Sequence, residues 1–172
     1  MSITFLQEPN AYKEIADKWW LGQTITLEYT TRLYYFYFER YWGLYRKDFY
    51  CDVYLTDENH HPTGDPIASA SSWIKSWEKH QVRRRDAFFF FDVTLESGTE
   101  YFFLIHDNEP TTHINTRIYT REVDSIYPDG KLYYSENSGE TWTEFPNDDV
   151  VFALTGKVVE PPEPPVVTPD IP

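Results

Sequence analysis

Along most of the chain, apolar positions either alternate with polar ones or run unbroken for a few residues. Turn-forming residues cut these stretches apart. Thr24–Glu28 alternates after Gly22. Leu33–Tyr41 reads Leu-Tyr-Tyr-Phe-Tyr-Phe-Glu-Arg-Tyr. A strand shows alternate residues to opposite faces, so one face of this run is core. The other, with Tyr35, Tyr37 and Tyr41 or their neighbours, is covered by another subunit or exposed as a patch. In Phe49–Thr56, Phe49, Cys51, Val53 and Leu55 oppose Tyr50, Asp52, Tyr54 and Thr56, before the polar loop Asp57–Pro66. Ile67–Ser71 resumes. Ala87–Leu95 contains Phe88–Phe91, a continuous run expected where both faces of a strand are covered. Glu100–His106, Arg117–Val123, Leu132–Tyr134, Trp142–Phe145 and Val150–Leu154 follow. About nine or ten short strands at this spacing predict an antiparallel sandwich or jelly roll rather than βαβ units. Two segments read as helical. Asn10–Lys18 has helix formers after an Asn cap; Ser72–Lys79 sets Trp73 and Trp77 one turn apart and suits a loop or short strand equally well.

The pattern changes at Gly156. Lys157–Pro172 holds six of the 12 prolines, which favour extended polyproline II, so the expected division is a sandwich over 1–156 and a proline-rich arm or linker over 157–172. As an arm it docks on a neighbouring subunit; as a linker it leads to another domain. The 172 residues suit one domain that needs no disulfide, consistent with the lone Cys51. Aromatic residues make up 19%, which favours pleated, half-buried surfaces. A net charge of −13 opposes approach to nucleic acid. No stretch has the run of about 20 apolar residues that spans a membrane. The start, Met1–Pro9, has neither the basic region nor the apolar run of a signal peptide.

Tyr127–Trp142 and Asp149–Gly156 are the most specific stretches. Ser135, Asn137, Gly139, Thr141 and Trp142 fit S-x-[DN]-x-G-x-T-W, which resembles the Asp-box hairpin. Three further pieces occur in one order with it: Pro62–Ala68, Asp92–Phe102 and the closing Asp149–Gly156. Together they resemble a family of carbohydrate-binding-like jelly-roll modules over about Ile15–Gly156. The resemblance implies a β-sandwich of the kind that decorates secreted, surface and viral structural proteins, hence a virion or extracellular-surface location. The chain departs from the family pattern at Asp129, before the single Gly130, at Asn137 in place of Asp and at Ser138 in place of Gly. Physically, Asn137 can accept backbone N–H groups across the turn, Gly139 supplies a positive φ, and Trp142 folds its ring over the hairpin. None of this requires a ligand, so the motif reads as structural.

Candidate chemistry is sparse. His60 and His61 share a polar loop with Asp57, Glu58 and Asp65, in a spacing that matches no metal motif. Asp107, Asn108 and Glu109 carry oxygens of the kind Ca²⁺ takes, and the resemblance implies that such modules often hold a structural ion; the plainer reading is a solvated acidic loop. No nucleophile elbow, P-loop or Cys-His arrangement occurs, and no carboxylate pair stands out, so no catalytic residue and no cofactor are assigned. Arg83, Arg84 and Arg85 form a basic cluster with Lys75, Lys79 and His80. It serves either a charged edge strand or contact with an acidic patch of a neighbouring copy. Trp42, Trp73 and Trp77 are the candidate sugar platforms. The combined expectation is an all-β, jelly-roll-like subunit of a homo-oligomer or larger assembly, with a carbohydrate-binding module as the alternative.

Overall fold

The computed structural model describes residues 11–15, 19–41, 49–72, 85–106, 116–121, 127 and 129–159. Among them are twelve strands and no helix. These are β1 (Ala11–Ile15), β2 (Trp20–Thr26), β3 (Thr31–Tyr41), β4 (Tyr50–Thr56), β5 (Pro62–Ser71), β6 (Arg85–Leu95), β7 (Glu100–His106), β8 (Thr116–Arg121), β9 (Leu132–Ser135), β10 (Thr143–Phe145), β11 (Asp149–Val150) and β12 (Phe152–Val158). The first sheet runs β1-β8-β3-β12, with β6 also paired to β3 and β11 to β8. The second runs β10-β9-β2-β7-β4-β5. Every pairing is antiparallel. The chain repeatedly crosses between the sheets, and the result is a jelly-roll-like β-sandwich.

The helix expected over Asn10–Lys18 is a strand where the structure describes it. β1 pairs with β8 from Ala11↔Thr120 to Ile15↔Thr116. A segment this short does not repay helix nucleation, whereas an adjacent sheet edge offers its backbone partners at once. Most of Ser72–Lys79 lies outside the described residues. At the other end, β12 continues past Gly156 to Val158, and the Val159 N–H donates to the Thr30 carbonyl at 2.8 Å. The sandwich thus extends a few residues beyond the expected boundary.

Leu33, Phe36, Phe38, Phe89, Phe152 and Leu154 pack inward from the first sheet, against Leu21, Ile25, Val53, Phe103 and Ile105 from the second. Phe36 joins the layers: its ring lies 4.9 Å from Phe103 across the sandwich and 5.7 Å from Phe152 beside it. Its placement depends on a bulge. Up to Leu33 the odd-numbered residues of β3 point inward; beyond Tyr35 the even-numbered ones do, as the burial of Thr31, Leu33, Phe36 and Phe38 records. Pairing with β6 shifts register between Leu33 and Tyr35, and pairing with β12 shifts at Thr155/Gly156. A bulge of this kind re-aims side chains. It also brings backbones close: a Cβ on Gly156 would lie 2.6 Å from the Arg32 carbonyl oxygen, which explains glycine in the closing motif.

Two polar ties cross the core. Gln23 is buried on the inner side of β2; its amide donates to Asp149 Oδ1 at 2.9 Å and its carbonyl accepts from the Val150 N–H at 3.0 Å. Buried polar groups are tolerable only when so satisfied. The Tyr127 hydroxyl donates to the Thr26 carbonyl and accepts the Thr26 N–H, both at 2.7 Å, with its ring edge against Phe152. Burial pushes this hydroxyl up to about 12, opposed by the Thr26 N–H and aided by nearby carboxylates.

Tyr127→Phe is expected to cost about 1–3 kcal/mol in denaturant unfolding at neutral pH, because it strands both Thr26 groups. The raised hydroxyl sets a second expectation. Its stabilisation is intact below the ordinary value of 10.0 and is lost as pH rises towards about 12. Alkaline titration of stability should therefore decline less steeply in the variant across that window. The decline does not vanish, since burial and Glu144 also raise Tyr133.

Candidate functional site

The β3 bulge that turns Phe36 and Phe38 inward turns Tyr35 and Tyr37 outward. β6 places Phe90 opposite Tyr35 and Phe88 opposite Tyr37. The four rings form one cluster, with centroids 6.3 Å apart for Tyr35–Phe90, 6.3 Å for Tyr35–Phe88, 5.2 Å for Tyr37–Phe88 and 6.5 Å for Tyr35–Tyr37. The run Phe88–Phe91 departs from expectation here. Phe89 and Phe91 are buried, but Phe90 faces outward and is 59% exposed. β6 keeps the two-residue alternation of a strand, so a continuous apolar run still puts half its rings outside. Fully covering such a ring is worth roughly 1.5–3 kcal/mol.

Polar groups border the rings. The Arg32 guanidinium forks onto Asp92, Nε to Oδ1 at 2.6 Å and Nη2 to Oδ2 at 2.9 Å, which holds the Asp92 carboxyl below its usual range. Beside this pair, Arg32, Tyr34, Lys157, Val158 and Val159 line an open groove of about 350 Å³. The groove lies where β12 ends. Tyr35 and Tyr37, the candidate subunit contacts, are thus brought together with Phe88 and Phe90, whose continuous apolar run predicts a strand covered on both faces.

The hairpin after β9 is built from the residues its motif singles out. Ser135 Oγ accepts the N–H groups of Asn137 and Gly139 at 3.3 and 2.8 Å and donates to Asn137 Oδ1 at 2.9 Å. Asn137 Oδ1 accepts the Thr141 N–H at 2.9 Å, and its amide donates to Thr141 Oγ1 at 2.9 Å. Gly139 has φ 82° and Ser138 φ 58°, so the left-handed residue ahead of the glycine is Ser138 rather than Asn137. The half-buried Trp142 sets its ring edge-on to Phe102, 5.0 Å between centroids, on the outer side of the second sheet. Phe102, Leu104 and Tyr133 are buried there with Trp20 and Tyr54 against them. The Phe102 ring occupies the space above Gly22, where a Cβ would meet it at 2.0 Å. The hairpin residues therefore satisfy one another and cap a small second core.

His106 and Asp52 on this same face were not anticipated. His106 Nε2 lies 2.9 Å from Asp52 Oδ2, and the ring stacks at 5.6 Å on Tyr50 and tilts at 5.1 Å to Trp20. Burial works to raise the Asp52 carboxyl, but bonds from His106 and Ser69 outweigh it and hold it below its ordinary value. The loop histidines point apart: His60 Nδ1 meets Glu100 Oε1 at 2.8 Å, and His61 sets its ring against Tyr133. Among the described residues no group of three or more His, Cys, Asp or Glu is placed to hold a metal ion. Arg83, Arg84, Trp42, Trp73, Trp77, Asp107, Asn108 and Glu109 lie outside the described residues. Arg85 opens β6, its backbone opposite Arg40.

No protein-family model matches the chain. No curated protein matches it in sequence.

Two substitutions test the hairpin. Ser138→Gly relieves a left-handed residue at the cost of a freer unfolded chain, and is expected to stabilise the fold by roughly 0.5–1 kcal/mol in chemical denaturation. Trp142→Ala removes a half-buried ring, and is expected to cost about 2–3 kcal/mol, below the range for a fully buried tryptophan.

Proposed function

We propose that this chain is a non-enzymatic structural subunit that assembles with other protein subunits through the outer face of the first sheet. The observation that carries the reading is the outward ring cluster of Tyr35, Tyr37, Phe88 and Phe90, three of them half-buried and Phe90 exposed. Rings of this kind anchor protein interfaces, because each contributes a large apolar area with few rotors to freeze. The border has the complementary chemistry: Arg32 and Asp92 satisfy each other and remain solvated at the rim. The polar residues of the hairpin are engaged within the fold, which supports a structural role for that motif. By its resemblance to surface and viral β-sandwich modules, the subunit is of the kind that decorates a virion or builds a fibre or tail. Carbohydrate binding is the second reading. It draws on the same resemblance and on Tyr34, 40% exposed beside the polar groove, a flat ring that could carry a sugar.

Light scattering tests the first reading against the second. The chain is expected to run well above its 20.5 kDa mass at micromolar concentration without any ligand. Phe90→Asp, at an exposed position, should bring it to monomer mass while its circular dichroism stays that of the folded wild type, with the unfolding midpoint falling only to that of the dilute, dissociated wild type. A wild-type monomer that is retarded in a polysaccharide gel would favour the sugar reading instead.

A further inference from the structure

We infer that the occupant of the aromatic face is the proline-rich segment Glu160–Pro172 of a second copy of this chain. The inference rests on the assembly reading above and names its partner. Three observations converge on it. The first is position. β12 runs antiparallel to β3, passing Tyr37 at Ala153 and Tyr35 at Thr155, and ends at Val158 opposite Thr31. The chain therefore leaves the sheet heading away from its own ring cluster, still extended, with the Val159 N–H on the Thr30 carbonyl.

The second is stiffness. The segment reads Glu-Pro-Pro-Glu-Pro-Pro-Val-Val-Thr-Pro-Asp-Ile-Pro, without glycine or asparagine. Proline fixes φ and removes backbone donors, so this sequence favours an extended polyproline helix over a reversal. Docking on its own face would need a sharp turn at Val159–Glu160, immediately before Pro161-Pro162. Docking on another copy needs none. At about 3.1 Å per residue the segment spans roughly 40 Å, ample to cross a sheet face.

The third is chemistry. Proline-rich segments bind surfaces lined by aromatic rings, which accept the pyrrolidine rings between them. Phe88, Phe90 and Tyr35 supply such a surface. Lys157 lines the neighbouring groove, where Arg32 is already paired with Asp92, and the segment carries Glu160, Glu163 and Asp170. An arm donated head-to-tail also leaves one copy with a free face and the other with a free arm, so the contact propagates unless symmetry closes it.

Complementation decides the matter in the full chain. One variant, Phe90→Asp, keeps its arm and loses the face. The other, with Pro161, Pro162, Pro164 and Pro165 each changed to Ser, keeps the face and loses the arm. Each alone is expected at monomer mass, and a mixture is expected to form a heterodimer, read by light scattering. If the proline variant assembles like the wild type while Phe90→Asp does not, the face is an interface but the arm is not its occupant. That result overturns this inference and leaves the assembly reading standing. If both variants are monomeric and the mixture stays monomeric, donation between copies is overturned. A monomeric wild type overturns the assembly reading itself. Phe90→Ser serves as a milder second face variant, with its unfolding midpoint measured to show that it folds.

Discussion

Tyr34, Tyr35, Phe36, Tyr37 and Phe38 stand on five consecutive positions of one strand, and a strand can bury only alternate side chains on a given face. Which rings enter the core is therefore a question of phase. The bulge between Leu33 and Tyr35 answers it by letting Leu33 and then Phe36 and Phe38 point inward. Without that slip, the inward pattern begun by Thr31 and Leu33 would carry the tyrosine hydroxyls of Tyr35 and Tyr37 into an apolar layer, at the cost of unpaired polar groups. With it, Phe36 bridges the sheets and Tyr35 and Tyr37 lie half-buried on the outer face. The close approach at Gly156 and the outward row opposite Phe88 and Phe90 both follow from the same displaced residue.

Much of this architecture was legible in the residues. Alternation located most strands of both sheets, because half-buried antiparallel strands write their two faces directly into the sequence, but it missed the start of β5, where Pro62–Pro66 reads as loop and is strand. The hairpin was legible as a motif, and the acceptance of a backbone N–H by Asn137 and the positive φ of Gly139 with it, since these act over a few residues and need no distant partner; the Ser135 hydroxyl bonds that complete it were not. Where tertiary context decides, local reading misleads. Ala11–Ile15 has helix formers, yet β8 claims it as a strand. Phe88–Phe91 reads as a strand covered on both faces, but nothing within those four residues says whether the second face has a cover. The His106–Asp52 pair joins two strands 54 positions apart and leaves no periodic trace.

The ties of the core also connect the two ends of the chain in time. β3 is made early, but its partner β12 and the Asp149 that meets Gln23 are synthesised more than a hundred residues later. Until then the most aromatic strand of the protein has an open edge, and no local contact can substitute for the missing neighbour. Loop closure over such separations is slow, and exposed strand edges invite pairing with other chains. The nascent sandwich is thus at its stickiest until β12 slides into place. Acidic residues spread along the chain give it a net charge of −13, a repulsion between unfinished copies that acts during that interval.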